Sequence, residues 1–328
     1  MIRKQKNELI FSIIIPVKYK NNYLLESIEN CLKLNYQNFE VLIFPDKDFE
    51  YNDKKVRIIP TGNIGPAEKR DLSLKYAGGD VLAFLDDDAY PVDDWLNNSI
   101  DYFKDNNIAA VCGPAVTPGN DNLTQKLSGE IYSSVIASGN TVFRYKPASK
   151  IFEVDDFPSV NFLIRKKDFR AVGGFDSTFW PGEDTKLCLD IINLGKKIVY
   201  DPKVLVYHHR RDSFKKHLIQ TYNYAVHRGY FVKRYPKNSA KFGYFVPSLF
   251  LIFIVIGFIT AFLNEYAAYF YLIILASYAL ILVINSLIRI IENKDLRLSF
   301  LLIPGIFLTH IFYGSGFIKG LFTGKLER

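Results

Sequence analysis

The sequence predicts an α/β domain built on a parallel sheet, continued by a basic amphipathic helix and then by transmembrane helices. The run Val81-Leu-Ala-Phe-Leu85, bounded by Gly78-Gly79 and Pro91, is continuously apolar, as strands buried on both faces of a parallel sheet are. It leads straight into Asp86-Asp-Asp88, and strands of open α/β sheets deliver their chemistry at such C-terminal ends. The apolar excess, 49% of the 328 residues against 23% charged, collects after residue 243.

Three adjacent carboxylates repel one another and are costly to desolvate. At a strand end they are either solvated in a polar turn or neutralised by a cation. Hard divalent cations prefer carboxylate oxygens and often carry substrate phosphates with them.

In chain order, Arg3, Lys4 and Lys6 before Leu9-Ile-Phe-Ser-Ile-Ile-Ile15 imitate a signal peptide. The run stops at Pro16-Val-Lys18 without a small-residue cleavage site, so it reads as a first buried strand. Residues 22–34 carry Leu24, Leu25, Ile28, Cys31 and Leu32 on one helical face. Strands follow at 39–44 and 56–59, then a helix at 67–76 leading to the strand that ends at Asp86. Strand, helix, strand, strand, helix, strand is the order of a nucleotide-binding α/β domain. Residues 95–106 read as helix and 109–112 as extended, while 117–156 carry little periodicity beyond a helix around 123–136.

Strand pattern returns at Ser159-Val-Asn-Phe-Leu-Ile-Arg165, followed by a short helix at 167–172 closed by Gly173-Gly-Phe-Asp176. Phe179-Trp-Pro-Gly-Glu-Asp-Thr185 then puts two acids just before a helix at 186–194, where acids also serve simply as caps. Strands at 197–200 and 204–207 follow, the second ending in His208-His-Arg-Arg211. Adjacent histidines on a strand point to opposite faces, so at most one of them faces the ion of the acid triplet.

Between 212 and 235, Phe214, Leu218, Tyr222, Ala225 and Val226 share a face, while Lys215, Lys216, His217, Arg228, Lys233 and Arg234 supply charge. Such a helix suits a membrane interface. Residues 245–263 and 266–288 are uncharged and long enough to span a bilayer. Basic residues precede the first (Lys233, Arg234, Lys237, Lys241) and follow the second (Arg289, Lys294, Arg297), whereas Asn264-Glu265 separates them. The positive-inside rule puts the N-terminal domain and the second loop in the cytoplasm. The segment 300–322 contains Pro304, Gly305, His310, Gly314, Gly316 and Lys319. The expectation is a shallow or re-entrant piece packed on the other two, with a third span as the alternative. The resulting division is 1–211, a cytoplasmic domain; 212–242, a basic interface helix; and 243–328, a membrane domain.

The cysteines, Cys31, Cys112 and Cys188, form neither a disulfide framework nor a metal motif and read as buried thiols in a reducing compartment. The net charge of +7 comes without an arginine-rich run or a stacking motif, which argues against nucleic acid. Its concentration between Lys203 and Lys241 favours a membrane surface with its lipids.

Ser12-Ile-Ile-Ile-Pro16, Asn63-Ile-Gly65 with Lys69-Arg-Asp71, Ala83-Phe-Leu-Asp-Asp-Asp88, Gly173-Gly-Phe-Asp176 and Gly182-Glu-Asp184 together resemble the inverting glycosyltransferases of family 2, over residues 10 to 235. The resemblance implies the GT-A fold, a doubly wound, mixed but mostly parallel sheet binding a nucleotide sugar at its strand ends. It implies a DxD element in Asp86 and Asp88, with Asp88 the direct ligand of Mg2+ or Mn2+, and a further metal or diphosphate contact in His208. Pro16, Asp46, Arg70 and Asp87 fall on the donor side. Asp184 matches the general base, with Trp180 and Glu183 beside the acceptor and Gln220 and Arg228 loosely matching acceptor-side residues of membrane synthases. Phe44-Pro-Asp-Lys47 departs from the family's usual two acids and Gly-Ser turn, which leaves the donor open between UDP and GDP sugars.

The implied activity is a membrane-anchored, metal-dependent hexosyltransferase in polysaccharide or glycoconjugate synthesis. It would move one sugar to a lipid-linked or membrane-proximal glycan at the cytoplasmic face of the cell membrane. A homo-oligomer stays open. The competing readings are a metal-dependent nucleotidyltransferase or phosphohydrolase, which leaves the Glu183-Asp184 pair unexplained, and a catalytically silent membrane scaffold.

Overall fold

The computed structural model describes residues 9–175, 179, 181–293 and 295–326. Its strands are β1 (Phe11–Pro16), β2 (Phe39–Phe44), β3 (Val56–Ile58), β4 (Val81–Leu85), β5 (Ala89–Pro91), β6 (Ile108–Cys112), β7 (Ala115–Val116), β8 (Phe152–Val154), β9 (Asn161–Arg165), β10 (Lys197–Tyr200) and β11 (Val206–His208). Its helices are α1 (Asn22–Leu32), α2 (Pro66–Asp71), α3 (Ser73–Tyr76), α4 (Asn97–Ile100), α5 (Leu123–Tyr132), α6 (Val135–Ser138), α7 (Lys166–Ala171), α8 (Glu183–Asn193), α9 (Phe214–Arg234), α10 (Pro236–Ser239), α11 (Phe242–Ala261), α12 (Glu265–Asn293) and α13 (Leu296–Phe322).

The chain forms two compact units. The first takes residues up to Val116 and Lys146–His209; the second takes Thr117–Tyr145 and the chain from Arg210 on. Residues 117–145, counted above within the 1–211 domain, fall in the second unit, where Leu127 and Ile131 of α5 share a core with Leu298, Leu302 and Ile306 of α13.

The first unit is an eight-stranded sheet in the order β3-β2-β1-β4-β9-β6-β10-β8. It is the mixed, mostly parallel sheet expected: β1 pairs in parallel with β2 and β4, β2 with β3, and β6 with β10. β9 runs antiparallel to both β4 and β6. β1 and β4 are buried along their whole length, β4 as an unbroken apolar run and β1 with its one hydroxyl, Ser12, donating to Glu40 at 2.7 Å. Ile13, Ile15, Ala83 and Leu85 meet Leu24, Ile28 and Cys31 of α1, whose N-cap Asn21 accepts from the Leu24 amide at 2.9 Å. A small second sheet orders β5-β11-β7, with His208 opposite Ala89.

Several elements differ from expectation. The 67–76 helix is two short ones that meet at Leu72, and 95–106 is α4 followed by a 3-10 turn. α8 begins at Glu183 rather than 186, after Gly182 at φ +119°, a left-handed conformation that glycine adopts freely.

In the second unit, α11, α12 and α13 are long and apolar enough to cross a membrane, but 44% of the most apolar window of α13 is buried against 6% in each of the others. The segment expected to be a shallow or re-entrant piece, or else a third span, is one continuous helix, α13. Its glycines mark close helix approaches instead of breaks: an added Cβ would lie 2.6 Å from the Pro247 oxygen at Gly314, 2.5 Å from the Tyr222 oxygen at Gly316, and 2.1 Å from the Val226 oxygen at Gly320. Of the apolar face of α9, expected at a membrane interface, Leu218 and Ala225 are buried and Phe214, Tyr222 and Val226 half-buried, with Gly229 against the Phe317 oxygen.

Candidate active site

The three carboxylates leaving β4 take three different partners. Arg70 Nη2 donates to Asp86 Oδ1 at 2.6 Å, Asn21 Nδ2 donates to Asp87 Oδ2 at 2.9 Å, and His208 Nε2 lies 3.0 Å from Asp88 Oδ1. The β5–β11 pairing sets the last contact, reinforced by the His209 amide donating to the Asp88 carbonyl at 2.9 Å. Strand alternation turns the His209 ring away, to Glu26 Oε2 at 2.9 Å and the Tyr23 ring at 4.4 Å. Asp86, Asp88 and His208 each present one ligand atom, all within 4.8 Å of one another. Burial, and then the charge of Asp88, raise the proton affinity of Asp87, which Asn21 partly offsets.

The second acidic group opens α8. Glu183 is buried and Asp184 half-buried, and among the described residues Glu183 Oε2 and Asp184 Oδ1 are sealed from solvent without a hydrogen-bond partner. Burial pushes both carboxyls above the ordinary range; the charge of Asp184 adds to the effect on Glu183, while Arg70 opposes it for both and Ser159 opposes it for Asp184. Arg70 Nη1 lies 3.5 Å from Glu183 Oε1, so one buried guanidinium reaches both acidic groups.

Each residue of the Lys69-Arg-Asp71 run has a separate partner. Lys69 Nζ binds the Asp46 carboxylate and donates to the Val17 carbonyl at 2.6 Å, which holds Asp46 where β1 and β2 end. Pro16, opposite Phe44, closes β1 at that same edge. Asp71 Oδ1 accepts from the Phe175 amide at 2.8 Å, and Gly174 at φ +84° leaves no room for a Cβ, which would stand 2.4 Å from that oxygen.

The structure thus gathers Asp86, Asp87, Asp88, His208, Arg70, Glu183 and Asp184, with Asp46 and Pro16 at the ends of β2 and β1. Gln220 and Arg228 lie on α9 in the second unit, where Arg228 donates to Ser239 Oγ at 3.3 Å and stands 4.6 Å from the Tyr244 ring centroid. Trp180 lies outside the described residues. Sequence reasoning missed Asn21, Lys69, Ser159 and Asn161. Asn161, fully buried and paired with Leu85, donates to the Gly113 and Val204 carbonyls at 2.8 and 2.7 Å and accepts from Trp95 Nε1 at 2.9 Å. Its one signal was an amide inside an otherwise apolar strand.

Residues 12–173 match the family model for glycosyl transferase family 2. The chain carries a family 2 glycosyltransferase domain. The transferase is 25% identical over 96% of its length to a dolichyl N-acetyl-alpha-D-glucosaminyl phosphate 3-beta-D-2,3-diacetamido-2,3-dideoxy-beta-D-glucuronosyltransferase of Methanococcus voltae, of which it covers 98%. It is 29% identical over 37% of its length to a UDP-Glc:alpha-D-GlcNAc-diphosphoundecaprenol beta-1,3-glucosyltransferase of Escherichia coli, covering 51% of it. Its fold is similar to that of a Pyrobaculum calidifontis mannosyltransferase solved with GDP-Man and Mn2+, at a TM-score of 0.58 and 16% identity over 96% of this chain and 88% of that one.

Proposed function

We propose that the transferase is an inverting, metal-dependent enzyme that moves one sugar from a UDP- or GDP-linked donor to a lipid-linked acceptor at the cytoplasmic membrane face, in polysaccharide or glycoconjugate synthesis. The observation that carries this reading is Arg70, which contacts Asp86 at 2.6 Å and Glu183 at 3.5 Å and so joins a donor-side acid set to an acceptor-side acid pair in one site. The names of the M. voltae and E. coli relatives supply the acceptor class, since both specify a sugar carried on a polyprenol through phosphate or diphosphate. Both also specify a β linkage, the outcome of inversion at an α-linked nucleotide sugar. The exposed apolar surfaces of α11 and α12, flanked by basic residues, supply the anchor.

In this mechanism Asp184 takes the proton of the acceptor hydroxyl as that oxygen bonds to the anomeric carbon. The bond from the anomeric carbon to the donor diphosphate breaks on the opposite face, and its electron pair leaves with the diphosphate. Asp184 suits the role because a sealed carboxylate with raised proton affinity is a stronger base than a solvated one. Glu183, whose proton affinity burial also raises, lines the acceptor side beside it.

Asp86, Asp88 and His208 fit a divalent cation, because two carboxylates and an imidazole converge there with excess negative charge. The mixed oxygen and nitrogen donors lean toward Mn2+ over Mg2+. Once bound, the ion offsets charge growing on the departing diphosphate. Asp46, pinned by Lys69, and Pro16 face the nucleotide base, and Asp87, held by Asn21, borders the ribose.

Thermal melting of the detergent-solubilised protein with UDP, GDP and CMP, each with and without Mn2+ or Mg2+, tests the reading. A metal-dependent rise with UDP or GDP is expected. No shift with any pair, in buffer where a related transferase responds, overturns it.

A further inference from the structure

We propose that α13 does not cross the bilayer but lies along one membrane surface, with its exposed apolar face in the lipid and with α5 and α9 seated on its back. The inference goes beyond the transfer reaction and does not depend on it.

The path of α13 against the α11–α12 hairpin points to this arrangement. α11 and α12 run antiparallel around the short turn near Asn264, with Phe253 5.5 Å from the Tyr271 ring and Gly257 packed on that same ring. The start of α11 and the end of α12 therefore share one end of the hairpin. Near its own start, α13 accepts a bond from Ser286 Oγ at the Ser299 carbonyl, 2.6 Å, close to the end of α12. In its middle, His310 Nδ1 accepts from Tyr278 at 2.9 Å and the His310 ring stands 6.3 Å from Phe250. Toward its own end, the Gly314 carbonyl accepts from Ser248 Oγ at 3.1 Å and Phe317 packs on Phe245 at 4.9 Å, close to the start of α11. Both ends of α13 thus meet the same end of the hairpin. A helix of 27 residues, about 40 Å long, has its ends at opposite surfaces if it crosses.

What covers α13 agrees. α5 packs on its first half through Leu127 and Ile131, and α9 follows its second half from the His217–Thr309 contact at 3.1 Å to the bond from Lys233 Nζ to the Thr323 carbonyl at 2.8 Å. α9 keeps Lys215, Lys216, Lys233 and Arg234 exposed. Carried to bilayer depth, each of these charges would lose its hydration, which is costly. The opposite face of α13 has no such conflict. Leu296, Phe300, Phe307 and Phe322 are exposed, and at 3.6 residues per turn they fall within one stripe about 80° wide. A surface helix with an apolar stripe down and charged helices above is the arrangement that buries the first and hydrates the second.

The experiment uses the full chain in sealed liposomes, with a spin label at Phe300→Cys, Phe307→Cys or Phe322→Cys, sites whose exposure spares the packing; the native cysteines are buried and do not compete for the label. Collision depth measurements are expected to place all three labels at one shallow depth. Gly324→Cys and Lys216→Cys are expected to react with a membrane-impermeant maleimide from the same side. A depth difference of about 33 Å between labels at 300 and 322, the length of 22 helical residues, overturns the proposal. So does labelling of positions 216 and 324 from opposite sides. Melting temperatures near that of the parent protein confirm that each variant is folded.

Discussion

The acids after β4 and the acids opening α8 are held in opposite ways. At the strand end each carboxylate has its own partner, an arginine, an amide or a histidine. At the helix start two carboxylates share what Arg70 and Ser159 offer, and each keeps one sealed oxygen unmatched. In the proposed reaction the cation falls to Asp86 and Asp88, which converge with His208. Acids short of partners hold protons more tightly, which a base requires. The difference arises from backbone position: the triplet leaves a strand into a loop that β11 and α1 can reach, whereas the pair is fixed in the first turn of a helix behind Gly182.

Substitutions separate the two groups, and the largest effect belongs to the helix start. Asp184→Asn is expected to lower turnover about a thousandfold while leaving the nucleotide-induced melting shift intact; loss of that shift would place Asp184 on the donor side. The wild-type rate should fall as pH drops through a window above the usual carboxylate pKa of about 4, because a raised proton affinity neutralises the base early. A profile flat down to pH 4 would remove Asp184 from the role. At the strand end, Asp88→Asn should weaken apparent Mn2+ affinity by about a hundredfold, read from melting with nucleotide at increasing metal, and unchanged metal dependence would count against the cluster.

Glu183→Gln should raise stability at pH 7.5 by on the order of 1 kcal/mol. A carboxyl whose folded pKa is raised supports folding below its unfolded pKa and loses that support as pH climbs toward the folded value, so the gain from the amide should vanish near pH 4. A loss of stability at pH 7.5 would mean that the ion pair with Arg70 outweighs burial. Asn21→Ala is expected to cost about 1 kcal/mol through the lost cap, with turnover falling only a few-fold.

Much of the fold was legible because local pattern and tertiary role agree. The apolar runs of β1, β2 and β4 are buried strands, and the order of elements predicted the sheet. The acid sites were legible through motifs whose members fold together. Other features depend on partners distant in sequence. Nothing local links Lys69 to Asp46 or Asn21 to Asp87, and nothing in residues 159–165 declares that β9 runs backwards. The glycines of the last helix have a role that no local pattern declares: glycine weakens an isolated helix, yet in α13 the same lack of a side chain admits the backbones of α9 and α11.

The reversal of β9 has a consequence in time. β4 pairs with β1 on one edge, but its other edge waits for Asn161–Arg165, 80 residues after Leu85. At ribosomal speeds of 5–20 residues per second that wait is about 4–16 s. Throughout it a wholly apolar strand presents an open edge, the kind of surface on which nascent chains aggregate. The yield of folded protein should therefore depend on how the first 160 residues are sheltered during synthesis, before any helix of the second unit beyond α6 exists.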